Sequence, residues 1–187
     1  MKVISAGSLL LLACSALCLD AQQTGVSTDW DVGKTLAAIS AHASRLESLL
    51  DQIQPQEWVS KGAPEQYVTQ WKESRTQIQA IVTSAKDLSR NPGKLTDSLQ
   101  LLFRVQSLEV MLGSLREGIR KYHNPAVADL LNGVVAENGA NRNRLQQYVL
   151  DLAAEKEQEF TVADREAQRC REFLSKQPAP AHRPERK

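Results

Sequence analysis

From Val32 onward the chain repeats one pattern, with apolar residues at alternating steps of four and three and polar residues between them. Val32, Leu36, Ile39, Ala43, Leu46, Leu50 and Ile53 make the first run. At 3.6 residues per turn this spacing keeps the whole run on one narrow stripe of a helix. Thr28 is placed to cap that helix, Asp31 falls in its first turn, and Pro55 limits its end, so the pattern predicts a helix over 29–53.

The same alternation recurs three times. Between Pro55 and Pro64, Gln56 to Gly62 reads as one or two helical turns opened by Pro55 and closed by Gly62. Pro64 opens a second long helix striped by Tyr67, Trp71, Ser74, Ile78, Ile81, Ala85 and Leu88, and Asn91-Pro92-Gly93 stops it. A third begins near Lys94 and carries Leu101, Val105, Leu108, Leu112, Leu115, Ile119 and Tyr122, with extra apolar bulk at Leu102 and Phe103. His123-Asn124-Pro125 is then a compressed turn in which Asn124 caps and Pro125 takes the first helical position. So short a connection makes the flanking helices antiparallel neighbours.

The last helix carries Val127, Leu131, Val134, Asn138, Asn141, Leu145, Tyr148 and Leu152 in phase, and Phe160, Ala163, Ala167, Cys170 and Leu174 continue the stripe. As one piece over 125–175 it would be roughly 75 Å long against about 40 Å for each partner, and so would overhang them. Asn138-Gly139-Ala140-Asn141 is poor helix-forming sequence and offers a place for a break, but the unbroken seven-residue phase favours continuity. The expected fold is all-α: an up-down antiparallel four-helix bundle over 29–176 with a long or kinked C-terminal helix.

The N-terminus changes the setting. Lys2 precedes an apolar run from Val3 to Leu19, followed by Asp20 and Ala21. This is the charge, apolar core and small-residue order of a secretory signal peptide over 1–21, cut after Ala21, with 22–28 as a short linker. The core is too short to span a membrane, and the chain after it contains no run of about 20 apolar residues. The protein is therefore expected to be exported, periplasmic or secreted. Leu11-Leu12-Ala13-Cys14 partly resembles a bacterial lipobox, which would acylate Cys14, although Leu12 is off-pattern. The Pro-rich basic stretch 177–187 is expected to be a disordered tail.

Charge and candidate chemistry narrow the function. The chain carries a net charge of +1 with acids and bases interspersed, which argues against the clustered basic face of a nucleic-acid binder. His42 and Met111 fall at similar heights on the first and third long helices, and exported b-type cytochrome bundles use a His and a Met as haem ligands. That likeness covers only the architecture and two residue types; His42 flanks the first stripe, and the two helices would be diagonal. No Glu-x-x-His or His-x-x-x-His pair suggests a metal, and Glu155, Glu157 and Glu159 spread over different helix faces. Neither a nucleophile elbow nor a phosphate-cradling glycine loop occurs, so no enzyme and no cofactor is expected.

Two of the three cysteines lie in the leader, leaving Cys170 as a lone thiol on the stripe with Ala163, Ala167 and Leu174. If the last helix overhangs, that stripe is an expected intermolecular contact, in one version disulfide-linked; an ordinary small buried cysteine is the competing reading. Trp58, Tyr67 and Trp71 gather at one bundle end, where core packing accounts for them and a ligand pocket is the alternative. The expected function is a non-catalytic protein of the cell envelope acting by helix-mediated protein interaction or self-association through its C-terminal helix. The alternatives are a bundle holding haem or an apolar molecule, and a chaperone-like helper.

Overall fold

The computed structural model describes residues 29–176, and among these the chain is all helical. The leader over 1–21, Cys14, the linker over 22–28, the Thr28 cap and the tail over 177–187 lie outside the described residues. Six helices follow in order: α1 (Asp29–Leu50), α2 (Pro55–Val59), α3 (Gln66–Arg90), α4 (Leu95–Tyr122), α5 (Pro125–Glu137) and α6 (Gly139–Ser175). The α5–α6 pair acts as one bent rod, so the architecture is the up-down antiparallel four-helix bundle that the spacing predicts. In the ring, α1 lies beside α3 and the α5–α6 rod, and α4 lies opposite α1 against the same two neighbours.

The stripes meet at the centre. Every apolar residue of the first run is buried, as are Ile78, Ile81, Ala85 and Leu88 of α3 and Leu101 to Ile119 of the α4 run. The first stripe is wider than seven residues, because Thr35, His42 and Leu49, themselves seven apart, are also buried along one edge of it. A helix meeting two neighbours needs this broader face, whereas a coiled-coil seam needs only the narrow one.

Local chemistry sets the helix ends. Gly62 has φ +88°, and its N–H donates to Val59 O while Ala63 N–H donates to Trp58 O, closing α2 with a glycine in the left-handed region. Asn124 accepts from Ala126 N–H at 2.9 Å with Pro125 next in sequence, as expected for the compressed turn. Two boundaries differ from the sequence reading. Helix α1 ends at Leu50 rather than 53, because the chain turns at Asp51–Gln52 while Ile53 still reaches the core. Helix α3 starts at Gln66, two residues after Pro64, because Tyr67 N–H donates to Pro64 O in a tighter first turn.

The aromatic cluster closes one end of the bundle. Trp58 is buried, meets Tyr67 edge-on at 6.0 Å between centroids and stacks on His123 at 6.2 Å. Trp71 donates from Nε1 to Leu50 O at 2.9 Å. These contacts are those of core packing, with Tyr67 and Trp71 partly buried against the core. At the opposite end Tyr148 donates its hydroxyl to Pro92 O at 2.6 Å, tying α6 to the α3–α4 turn.

Candidate interaction surface

Helix α6 leaves the bundle just beyond that tie. Leu145, Tyr148, Val149 and Leu152 are its last buried residues, and every residue from Glu157 to Lys176 is exposed. The projecting arm from Ala153 to Ser175 is roughly 35 Å long. It stays helical on its own sequence, which is rich in Ala, Glu, Gln, Lys and Arg, the residues that lose least in forming a helix. Lys156–Glu159 at 2.9 Å and Arg169–Glu166 at 2.7 Å add pairs three residues apart, and Gln168 donates to Asp164 at 2.8 Å. The Glu159 carboxylate also holds the Lys156 ammonium above its usual pKa.

Apolar side chains are left uncovered on this arm. Phe160 is 75% exposed, Phe173 67% and Leu174 59%. The stripe of Phe160, Ala163, Ala167, Cys170 and Leu174 is therefore uncovered among the described residues. Cys170 is exposed, so the reading of it as an ordinary buried cysteine fails: the bundle ends some eighteen residues earlier, after Leu152.

A buried polar cluster marks the bend where α5 passes into α6. Asn138 keeps right-handed helical angles, φ −78° and ψ −12°, yet one residue there leaves the regular ladder. Its N–H donates to Val135 O at 3.2 Å, and Arg142 N–H restores the regular step by donating to Asn138 O at 2.9 Å. The continuity expected of the last helix thus holds to within one residue. Asn138 is 4% exposed, and no donor of the described residues reaches its Oδ1. It lines a cavity of about 10 Å³ with His42, Ile39, Ala43, Leu108 and Leu112, a space the size of one water.

His42 is 4% exposed, against the expectation that it merely flanks its stripe. Arg45 Nη2 lies 3.5 Å from its Nδ1. A guanidinium only donates, so this contact assigns Nδ1 as the acceptor and the ring proton to Nε2. Burial pushes the imidazole pKa down, the Arg45 charge pushes it further, and Glu137 opposes them. Arg45 in turn pairs with Glu137 at 3.1 Å, and Arg142 with Glu109 at 2.5 Å, so α1, α4, α5 and α6 all contribute a charge around the bend.

The structure does not assemble the haem pair. Met111 packs half-buried against the core but does not line the cavity beside His42, because α1 and α4 are diagonal. A water-sized space also falls far short of the roughly 300 Å³ or more of an organic-ligand pocket. Among the described residues no group of three or more His, Cys, Asp or Glu is placed to hold a metal. Likewise none of the described helices is long and apolar enough to cross a membrane. A shallow open groove of about 470 Å³ runs between α3 and α4 past Leu99 and Phe103, flanked by Gln77 and Arg104.

The sequence pattern marks Asn138 and the arm but not the rest of the cluster. The seven-residue repeat of Thr35, His42 and Leu49 was the signal that could have placed His42 inside. Glu109 and Arg142 carry no such signal, since they meet across 33 residues of chain. The geometry defines an all-α bundle with a projecting helical arm. No protein-family model, curated protein or solved structure matches the chain.

Proposed function

We propose that this is an exported, non-catalytic interaction protein that works by pairing its α6 arm with a second helix. The uncovered arm carries the proposal: a helix running about 35 Å past its bundle with Phe160, Phe173 and Leu174 open to water. Most helical stability in proteins comes from packing of an apolar face rather than from propensity, so pairing along the stripe would add to what the arm's own sequence supplies. The stripe is thin and its flanks are densely charged, which suits helix-to-helix recognition better than capture of a small molecule.

Amide hydrogen exchange on the full chain tests this. Pairing predicts that amides over 157–176 are protected in the associated protein, and that a Phe160→Glu, Leu174→Glu double variant loses protection in the arm while the bundle keeps its own. Arm amides exchanging at the rate of an unfolded chain under all conditions would refute the reading.

A further inference from the structure

We propose, resting on the arm-pairing reading above, that the partner helix is the α6 arm of a second copy of this chain. The two lie antiparallel, with Phe160 of one against Cys170 of the other. Charge gives the direction. Between Glu155 and Glu159 the arm has three carboxylates against one ammonium, and between Arg169 and Lys176 three cations against one carboxylate. Antiparallel arms lay the acidic end of each on the basic end of the other, while parallel arms lay like on like.

The stripe gives the register. Residues 160, 163, 167, 170 and 174 follow steps of three and four, and reversing the arm about position 165 exchanges 160 with 170 and 163 with 167, and carries 174 onto 156. Phe160 then faces Cys170, Ala163 faces Ala167, and Leu174 faces the stem of Lys156. A self-complementary patch of this kind is what a two-fold interface requires. Phe160 meets the small Cys170, and the alanine layers at the centre let the helices approach closely.

The same register sets Glu157 beside Arg171 of the second copy. Neither residue makes an ion pair among the described residues. Asp164 and Glu166 sit near the two-fold axis and face each other across it, a repulsion that the Arg169–Glu166 pair and the Gln168–Asp164 hydrogen bond reduce. The attached bundles also favour this orientation. In an antiparallel pair they lie at opposite ends of the arms, whereas in a parallel pair both crowd the end at Leu152, where the α6 stripe is already taken up by its own core.

Cysteine geometry makes the register testable. Along antiparallel arms the two Cys170 residues lie about 15 Å apart along the axis, beyond the roughly 7 Å that a disulfide spans between Cα atoms. In an in-register parallel pair they would face each other.

The experiment oxidises the full chain with diamide, Cys14 and Cys18 having been replaced by Ser, and compares native Cys170 with a Phe160→Cys variant on non-reducing gels. The expected result is a covalent dimer only when Cys170 and the thiol introduced by Phe160→Cys are both present, lost again on adding Cys170→Ala. A companion measurement reads mass by light scattering. Arg171→Glu should weaken association at least several-fold, and Glu157→Arg in the same chain should restore it. Efficient linkage through Cys170 alone would overturn the antiparallel arrangement while leaving arm pairing intact. A dimeric mass without the 160–170 linkage and without charge-swap rescue would overturn the register. A monomeric mass throughout would overturn the second copy as partner, and unprotected arm amides would then sink the pairing reading itself.

Discussion

Replacing Asn138 by Leu isolates what the polar side chain costs at the bend. The residue is almost fully buried, its Oδ1 meets no donor among the described residues, and its backbone already has helical angles that Leu adopts without strain. Removing an unsatisfied buried acceptor recovers about 1–3 kcal/mol. Leu also exceeds Asn in helix propensity by about half a kcal/mol. Against this stands some crowding, since Leu is the bulkier side chain, but the adjoining cavity of about 10 Å³ takes up part of it. The balance is a gain of about 1–3 kcal/mol. In urea unfolding followed by circular dichroism, with a slope of about 2 kcal/mol per molar, the midpoint should rise by roughly 0.5–1.5 M at unchanged slope. Asn138→Ala should gain less, because it trades the orphan oxygen for a larger void. A loss of about 1 kcal/mol or more in the Leu variant would refute the reasoning. It would show a satisfied network, with a water joining Oδ1 to the His42 Nε2–H.

Two further predictions concern the core. The imidazole of His42 is pushed below its usual value, so as pH falls through about 6.5 the unfolded chain takes up the proton first. The stability that neutral His42 permits is complete above that pH and lost below it. Urea midpoints at pH 7.5 and 5.5 should therefore fall further in the native protein than in His42→Leu, and equal falls would contradict this. Glycines of α4 give a paired test. A Cβ at Gly118 would come within 2.7 Å of the Tyr67 ring, whereas one at Gly113 would meet nothing within 4 Å. Thermal unfolding should show Gly118→Ala destabilised by about 1 kcal/mol and Gly113→Ala stabilised by about as much, and a reversed order would contradict the close approach.

Most of the core was legible because it depends on a local property, the period of apolar residues along each helix. Leu36, Ile39, Leu101 and Leu112 fall inside for that reason alone. Asn138 was legible as a seam position, and poor propensity around it marked the bend, but not that its oxygen would meet no donor among the described residues. That depends on what α1 and α4 place opposite, which local spacing does not encode. His42 was read as a flanking residue because the narrow stripe of a coiled coil was applied to a helix packed between two neighbours. The arm was legible only by comparing lengths. Its stripe continues the phase of the core unchanged, and nothing in the local pattern says that the neighbouring helices have already ended.

Light scattering of the full chain beside the Phe160→Glu, Leu174→Glu variant tests arm pairing between two copies most directly. Both positions are exposed and touch no part of the bundle, so the variant should keep the melting profile of the core. Arm pairing between two copies predicts twice the monomer mass for the native chain and the monomer mass for the variant at the same concentration. A native chain that stays monomeric, or a variant that stays dimeric, would contradict it.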